Sequence, residues 1–314
     1  MKKVTILIPC YNEEDSLDPL YDQLINIMTD EYSWEVLFVN DGSKDNTINV
    51  IKSLREKDKR ICFIDLSRNF GKECAMLAGF DYASGDCMII MDADLQHPPH
   101  VIKDMLYWWE KGYEDVYGKR LSRGKESWLR KKLSLTYYKL LQSAARYDIL
   151  PNVGDFRLLD RKCIDVLKEL RESERYTKGM FAWIGFKKKE VPFETQDRIA
   201  GHSSWSYNKL LSLAINGITS FTTAPLRVST FAGLIISAIA LLYMCFVLIK
   251  TSFFGETVQG YPTLIVVILF LGGIQLLSLG ILGEYLGRIF NESKHRPVYV
   301  IREKSINISE DPNK

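Results

Sequence analysis

The feature that most constrains the fold is a regular alternation of strand and helix patterns through the first 110 residues. Short apolar runs predict strands, and apolar residues three or four positions apart predict helices. The predicted strands are Val4–Ile8, Glu35–Val39, Ile61–Leu66 and Met88–Met91. The predicted helices that alternate with them are Ser16–Met28, Thr47–Lys57 and Lys72–Tyr82, and a further helix is begun by Pro98 and Pro99. This order predicts an α/β domain with a doubly wound, mainly parallel sheet.

Three polar loops follow the predicted strands. They are Pro9-Cys10-Tyr11-Asn12-Glu13, Asn40-Asp41-Gly42-Ser43 and Asp92-Ala93-Asp94. Ligands of doubly wound sheets bind outside the carboxyl ends of the strands, so we expect the three loops to meet at one site. There is no Gly-x-Gly-x-x-Gly after the first strand and no P-loop pattern anywhere in the sequence. A dinucleotide dehydrogenase and a P-loop NTPase are therefore disfavoured.

Asp92 and Asp94 end the fourth predicted strand at positions i and i+2. Side chains two apart in an extended segment point to the same side, so both carboxylates can face one ligand. A divalent cation or a sugar hydroxyl between them would relieve their repulsion. The alternative for an isolated Asp-x-Asp is a strand-end turn with two solvated carboxylates.

Charge and cysteine content narrow the range of partners. The formal net charge of +2 argues against a general nucleic-acid binder, which would be strongly basic. The six cysteines form no Cys-x-x-Cys pair, and most of them lie in apolar strands or helices. This pattern predicts reduced, buried thiols on the cytoplasmic side of a membrane rather than disulfides or a zinc site. The apolar run after Met1 is too short for a signal peptide.

Two apolar stretches near the C-terminus, Val228–Ile249 and Pro262–Leu286, are each long enough to cross a hydrocarbon core of about 30 Å. The first carries no charge and the second none before Glu284, which favours two transmembrane helices over two buried core helices. Glu284 and Arg288 are spaced to form an ion pair on one helix face.

The flanks of these stretches predict their orientation. The intervening loop Thr251–Tyr261 has no Lys or Arg, whereas Arg227 precedes the first stretch and Arg288, Lys294 and Arg296 follow the second. Positive charge favours the cytoplasmic side, so we expect both termini and the large domain in the cytoplasm and the short loop outside. Residues 296–301 are expected to form a short strand that pairs with a neighbouring chain or domain.

Several short motifs together resemble the family 2 glycosyltransferases, and more closely their polyprenyl-phosphate branch, which includes dolichol-phosphate mannose synthase and the bactoprenol glucosyltransferases. The motifs are the three loops above, extended to Asp92-Ala93-Asp94-Leu95-Gln96-His97-Pro98-Pro99, and Asn69-x-Gly71, Gly154-Asp155-Phe156-Arg157, Arg198-x-Ala200-Gly201 and Asn216-Gly217-Ile218-x-Ser220-Phe221. With the two apolar stretches, they span nearly the whole chain. Two positions depart from the family, which often has Asp in place of Asn40 and Lys in place of Ser204.

The resemblance implies a GT-A-like fold and four regions. These are a nucleotide-sugar-binding α/β core (1–120), an acceptor-side region with interfacial amphipathic helices (121–227), two transmembrane helices (228–290) and a cytoplasmic tail (291–314). It implies inverting transfer of one hexose onto undecaprenyl phosphate at the cytoplasmic face of the inner membrane. Glucose from UDP-glucose is favoured, and N-acetylglucosamine, galactose and mannose remain open. The protein partners that this reaction would involve are a flippase, a downstream glycosyltransferase and a second copy of the chain.

The resemblance also assigns roles on the donor side. Asp94, with Asp92 and Gln96, would hold Mg²⁺ or Mn²⁺ on the donor's diphosphate, and Asp92 would also contact the ribose. Asp41 would meet the base or the ribose, and Asp155 would position the donor sugar or the acceptor phosphate. The pocket wall would be formed by Pro9, Tyr11, Asn12 and Glu13. For Asn12 and Asp41 the alternative is an ordinary Asx turn.

On the acceptor side, a lipid phosphate is already ionised at neutral pH, so no strong general base is needed. Basic side chains at the membrane surface would bind it instead. The candidates are Arg120, Arg123, Lys125, Arg130, Lys131 and Arg198. The alternative for this cluster is a solvated basic face. The segment Trp128–Tyr147 mixes aromatic, leucine and basic residues, which is typical of a helix lying in the interface.

Three other interpretations agree less well with the sequence. A processive polysaccharide synthase would need a Gln-x-x-Arg-Trp motif and more spans than this sequence provides. A non-catalytic scaffold or flippase partner would not need the acidic pair. A zinc site at His97 and His100 is disfavoured because two prolines separate them and no cysteine or third histidine lies nearby.

Overall fold

The computed structural model describes residues 1–121, 153–173, 175–194 and 260–306, together with isolated helical positions between 226 and 253. The chain divides into two compact units. The first comprises residues 1–210 and 296–314, and the second comprises residues 211–295.

The first unit is built on an eight-stranded mixed sheet. Its strands are β1 Lys3–Cys10, β2 Ser33–Asn40, β3 Ile61–Leu66, β4 Cys87–Ile90, β5 Asp115–Arg120, β6 Val153–Asp160, β7 Lys188–Phe193 and β8 Ile301–Ser305. Their spatial order is β7-β5-β6-β4-β1-β2-β3-β8. The central strands β4, β1, β2 and β3 are parallel, as predicted. The sheet becomes mixed at its sides, because β6 runs antiparallel to β4 and β5, and β8 runs antiparallel to β3.

The described residues of this unit form six helices: α1 Leu17–Ile25, α2 Thr47–Lys57, α3 Lys72–Tyr82, α4 Val101–Glu110, α5 Arg161–Glu169 and α6 Thr177–Trp183. The predicted bounds of α2 and α3 are confirmed. The first helix is shorter than predicted because it ends in a tight turn, in which the Ile27 N–H donates to the Leu24 carbonyl. The helix predicted from Pro98 begins at Val101, whose N–H donates to the Pro98 carbonyl, so the two prolines form the turn before it.

The hydrophobic core has two layers, one on each face of the sheet. On β1, Ile6 and Ile8 face one layer and Leu7 faces the other, as the two-residue period of a strand requires. Helices α1, α2 and α4 contribute to the first layer, and α3, α5 and α6 contribute to the second. This three-layer arrangement confirms the doubly wound α/β prediction.

The C-terminal strand corrects one prediction. Residues 296–301 were expected to form a strand on a neighbouring chain or domain, but β8 spans Ile301–Ser305 and pairs with β3 of the same sheet. Its attachment is reinforced by side chains on both sides of the strand. The Tyr299 hydroxyl donates to the Asp81 carboxylate at 2.5 Å, and Lys52 forms an ion pair with Glu303 at 2.6 Å. These contacts close the sheet with a segment that follows the apolar stretches in the sequence.

The second unit contains helix α7, Tyr261–Ser293, which covers the second predicted span. Within the described residues, its segment Phe270–Ser293 is the one helix long and apolar enough to cross a membrane. Arg288 and Glu284 form the predicted helix-face ion pair at 3.0 Å. The first predicted span, Val228–Ile249, is described only at separate positions along its length. Its described positions are helical, and one of them, Ser229, donates a hydrogen bond to Ser278 of α7 at 2.8 Å.

Candidate active site

The loops after β1 and β2 are joined to each other by hydrogen bonds. The Asn12 N–H donates to Ser43 Oγ at 2.9 Å, and the Lys44 N–H donates to Asn12 Oδ1 at 2.9 Å. Asn12 has a φ of 56°, a left-handed conformation that asparagine tolerates better than most residues. The two loops therefore meet at the carboxyl ends of their strands, as the sequence predicted, and Asn12 builds the turn that joins them.

The other members of the first loop differ in exposure. Pro9 is half-buried in β1, and Tyr11 is exposed on the loop with 41% of its surface accessible. Glu13 lies in the loop before α1, where its carboxylate accepts a hydrogen bond from the Ser16 hydroxyl at 2.8 Å. An exposed tyrosine beside a strand end offers a flat apolar face to a ligand, so the contact of Tyr11 with a nucleotide stays a prediction.

Asp41 connects the second loop to the segment that opens α3. Its carboxylate accepts hydrogen bonds from the backbone N–H groups of Phe70 at 2.7 Å and Gly71 at 2.9 Å. It is 3% exposed, and burial raises its pKa although the two N–H donors oppose that rise. Asp41 therefore fixes the backbone immediately before Lys72, and its contact with the base or ribose stays a prediction.

The departure at Asn40 has a local physical reason. Asn40 is 1% exposed, its Nδ2 donates to Asp65 Oδ1 at 2.7 Å, and its Oδ1 accepts a hydrogen bond from the Ser43 hydroxyl at 2.5 Å. An aspartate at this position would face the buried Asp65 carboxylate without a proton to donate. The Asn40 amide therefore avoids repulsion between two carboxylates where Asn40 of β2 pairs with Asp65 of β3.

The central feature of the site is a lysine that bridges two carboxylates. In the antiparallel ladder of β4 and β6, Ile90 pairs with Arg157, which brings Asp155 beside the loop that carries Asp92. Lys72, the first residue of α3, has its Nζ 2.5 Å from Asp92 Oδ1 and 2.7 Å from Asp155 Oδ2. Three elements thus contribute to one charged cluster, which we call the Lys72 bridge (Lys72, Asp92 and Asp155).

The Lys72 bridge keeps all three groups ionised. Burial alone would raise the pKa of both carboxyl groups, but the Lys72 ammonium holds the pKa of Asp92 below its ordinary value and that of Asp155 well below it. Burial alone would lower the pKa of Lys72, and the two carboxylates hold it far above its ordinary value. The neighbouring Glu73 accepts a hydrogen bond from the Thr177 N–H, and burial together with the Asp155 carboxylate raises its pKa although Thr177 and Lys72 oppose that rise. The bridge is therefore charged throughout the neutral pH range.

The acidic loop itself has a fixed, alternating geometry. Asp92, Asp94 and Gln96 are half-buried, whereas Ala93 and Leu95 between them are buried. Strand β4 ends at Ile90, so the two carboxylates lie in a turn and not in the extended segment that the sequence predicted, and their facing one ligand stays a prediction. Leu95 has a φ of 61°, an uncommon conformation for a non-glycine residue. The Gln96 N–H donates to Asp94 Oδ1 at 3.1 Å, which closes the turn.

His97 supports this loop from below. Its Nδ1 accepts a hydrogen bond from the Asp92 N–H at 3.1 Å, and its ring stacks on Phe156 with centroids 4.7 Å apart. A ring nitrogen that accepts a hydrogen bond carries no proton, so the imidazole of His97 is neutral with its proton on Nε2. His97 thus positions Asp92. Within the described residues, no group of three or more His, Cys, Asp or Glu side chains is placed to hold a metal ion without further ligands.

Comparison with known proteins now identifies the family. Residues 5–167 match the family described as Glycosyl transferase family 2, and residues 224–289 match the one described as GtrB C-terminal hairpin. The chain belongs to glycosyl transferase family 2. This confirms the resemblance found in the sequence, and it agrees with the GT-A-like order of the strands.

Curated relatives match over nearly the full length of the chain. An uncharacterized glycosyltransferase of Synechocystis sp. is 44% identical over 96% of this chain and 95% of its own length. A bactoprenol glucosyl transferase of Shigella phage SfV is 42% identical over 96% of this chain and 99% of its own. A prophage bactoprenol glucosyl transferase homolog of Escherichia coli is 40% identical over 96% and 98%. Among solved structures, mannosyl-3-phosphoglycerate synthase from Rubrobacter xylanophilus has a TM-score of 0.45 at 19% identity, covering 68% of this chain and 71% of that one.

Most of the predicted acceptor-phosphate residues of this glycosyltransferase lie outside the described residues, as do Ser204 and the segment Trp128–Tyr147. These predicted residues are Arg123, Lys125, Arg130, Lys131 and Arg198. Arg120 is described, and it ends β5 half-buried. Its neighbour Lys119 forms an ion pair with Glu190 at 2.7 Å, so this lysine is engaged in a contact between β5 and β7.

Sequence reasoning did not single out Lys72 or the supporting role of His97. The available signal for Lys72 was its position directly after Asn69-x-Gly71, at the start of a helix that follows a strand of the sheet. A lysine there opposes the helix dipole, and such a local conflict often marks a functional position.

Proposed function

We propose that the protein transfers a single glucose from UDP-glucose to polyprenyl phosphate, with inversion at the anomeric carbon, at the cytoplasmic face of a membrane. The observation that carries this proposal is the acidic loop of Asp92 and Asp94, with Lys72 and Asp155 beside it, at the carboxyl end of β4. The names of the bactoprenol glucosyl transferase relatives support the choice of sugar and acceptor.

A divalent cation fits the donor set of this loop. Mg²⁺ and Mn²⁺ take carboxylate oxygens and commonly complete their coordination with substrate phosphates, so one or two protein carboxylates suffice. Asp94 and Asp92 would hold the ion, with Gln96 beside them. Bound there, it would neutralise the charge of the departing nucleoside diphosphate.

The protein's own residues would orient the two reactants. Asp155 is 9% exposed, and within the described residues its Oδ1 has no hydrogen-bond partner although Oδ2 binds Lys72. That oxygen can accept a hydroxyl of the donor sugar, which would orient the anomeric carbon. The acceptor phosphate is already an anion, so the site needs no group that removes its proton. Arg120, at the end of β5, is the described candidate for binding it.

The membrane part of the proposal is a hairpin of two spans with both ends in the cytoplasm. The match of residues 224–289 to a C-terminal hairpin family supports it, as does the hydrogen bond between Ser229 and Ser278. The apolar side chains of α7 are exposed along the helix, as expected for a surface that faces lipid.

The test uses the full-length protein in detergent with undecaprenyl phosphate, Mn²⁺ and a panel of labelled nucleotide sugars. We expect label from UDP-glucose in the organic phase, and we expect EDTA to abolish it. Asp94→Asn should lower the rate at least about a hundredfold because the cation loses a ligand, with an unchanged melting temperature. Asp104→Asn, an exposed change on α4, is the matched control and should retain the wild-type rate.

Two results would contradict the proposal. Transfer from a different nucleotide sugar alone would replace glucose with that sugar. A folded protein that transfers no label from any donor would favour a non-catalytic scaffold instead.

A further inference from the structure

Lys72 occupies a position that a helix does not favour for a cation. It is the first residue of α3, where free backbone N–H groups and the helix dipole create positive potential. The carboxylates of Asp92 and Asp155, 2.5 and 2.7 Å from its ammonium, are what stabilise it there. The start of the helix is also fixed, since Asp41 binds the N–H groups of Phe70 and Gly71 just before it. The fold therefore fixes the backbone of Lys72 beside the acidic loop.

The contact of Lys72 uses the same carboxylate that the metal needs. Asp92 Oδ1 already accepts a hydrogen bond from the ammonium, and Asp94 lies two residues further along the same loop, half-buried. Asp92, Asp94 and Asp155 carry three negative charges and Lys72 one positive charge, which leaves two negative charges for a divalent cation to balance. An ammonium and a divalent ion on the same carboxylate repel each other strongly at such short range.

The ammonium is free enough to change partners. The Lys72 side chain remains 39% exposed, whereas that of Asp155 is 10% exposed and held in β6. A lysine carries several rotatable bonds, so its Nζ can move by a few ångströms without moving the helix. Any ammonium released from Asp92 stays at the N-terminus of α3, which is a favourable place for a phosphate group.

We propose that Lys72 is the resident counter-ion of the acidic loop, that a divalent cation displaces its ammonium from Asp92, and that the displaced ammonium then binds the donor's diphosphate. This inference rests on the proposed function, because it takes the donor to be a nucleotide sugar. The proposal assigns two opposing roles to Lys72. Its ammonium weakens metal binding in the free enzyme, and it accelerates sugar transfer once the metal and the nucleotide sugar are bound.

Manganese titration of the free protein tests the first role. Free Mn²⁺ is followed by electron paramagnetic resonance, without nucleotide, in the wild type and in Lys72→Met, Lys72→Gln and Lys72→Arg. The two neutral variants should bind Mn²⁺ at least about tenfold more tightly because a positive charge next to the ligand is gone. Lys72→Arg keeps the charge and should remain within about threefold of the wild type. Lys52→Met is the matched control, since Lys52 pairs with Glu303 away from the site, and it should not change Mn²⁺ affinity.

Sugar transfer by the same variants tests the second role. The neutral variants should lose at least about a hundredfold in kcat at saturating Mn²⁺ because the diphosphate loses a cationic partner. If Lys72 only supported the fold, its replacement would instead lower metal affinity, activity and melting temperature together. The melting temperature of each variant, measured by circular dichroism, distinguishes a loss of folding from a loss of the proposed role. If one neutral variant unfolds, the other still tests the proposal.

The possible outcomes are distinct. Unchanged or weaker Mn²⁺ binding in folded Lys72→Met and Lys72→Gln would overturn the inference, and so would full kcat in these variants. If the wild type transfers no sugar while the neutral variants bind Mn²⁺ more tightly, the proposed function fails and the diphosphate role of Lys72 fails with it, but the displacement from Asp92 stands.

Discussion

His97 shows how one neutral side chain can hold a charged loop in place. The histidine is 1% exposed, and its Nδ1 accepts the N–H of Asp92 while the ring stacks on Phe156. Burial lowers the pKa of His97, and although Asp92 acts in the opposite direction the net shift is downward. A protonated His97 could no longer accept the Asp92 N–H, so the lowered pKa preserves the loop as the pH falls towards 6.

The pH dependence of stability should reveal this histidine. Below about pH 6.5 the unfolded chain binds a proton at His97 that the folded protein resists, so the free energy of unfolding should decrease as the pH falls. At pH 5.5 the loss is at most about 1.4 kcal/mol. His97→Asn, whose amide oxygen can still accept the Asp92 N–H, should remove this part of the slope. Thermal melting of the wild type and of His97→Asn at pH 7.5 and 5.5 measures this pH dependence of stability. An equal loss of stability in the two proteins would contradict the role assigned to His97.

Individual residues also show what the sequence could and could not reveal about the site. Asp92 and Asp94 were predictable because their spacing and their place after an apolar run are local features. Lys72 was not, because its partners come from the loop after β4 and from β6, and no local pattern connects these segments. Asn40 was recognised as a departure, but only the packing against Asp65 explains it.

At the scale of strands and helices, β5 and β6 are joined by a buried ion pair. Arg157 Nη1 lies 3.0 Å from Asp115 Oδ2, and the two side chains are 5% and 0% exposed. The guanidinium also lies over the ring of Phe181 in α6, 3.8 Å from its centroid. The pair fixes the register between β5 and β6, and β6 in turn places Asp155 beside the loop of Asp92 through its pairing with β4.

Breaking this pair on one side should be costly. Arg157→Met leaves the Asp115 carboxylate buried without its cation, and we expect a loss of about 3–5 kcal/mol in the free energy of unfolding. Adding Asp115→Leu removes the isolated charge, so the double variant should recover most of the loss. Chemical unfolding of the wild type, both single variants and the double variant in detergent gives the coupling energy directly. A double variant no more stable than Arg157→Met would contradict the pairing.

The predictability of the strands follows the same physical logic. The four central strands are buried on both faces, so they appear as apolar runs, and all four were predicted within a few residues. The outer strands are amphipathic or charged: β8 has the sequence Ile-Arg-Glu-Lys-Ser and β7 begins with two lysines. Strand β8 also pairs with β3 more than 200 residues earlier in the chain. Only the assembled sheet specifies such a pairing.

For the whole molecule, the position of β8 restricts how the chain could cross a membrane. The sheet takes its first strands from before the apolar stretches and β8 from after them. Both flanks of these stretches must therefore lie on the same side of any membrane they enter. An even number of crossings, as in the proposed hairpin, would satisfy this requirement, whereas a single crossing would not.

Cysteine labelling in intact bacterial cells that express the protein should decide the number of crossings. With two spans, Thr257→Cys in the intervening loop should react with a membrane-impermeant maleimide before the cells are permeabilised. Asp104→Cys, at an exposed position of α4, should react only afterwards if the catalytic unit lies in the cytoplasm, as proposed. The wild-type protein sets the background, and its described cysteines are buried except for the half-buried Cys74. If Thr257→Cys is labelled only after permeabilisation, the chain does not cross the membrane twice, and the apolar face of α7 must contact the bilayer from one side.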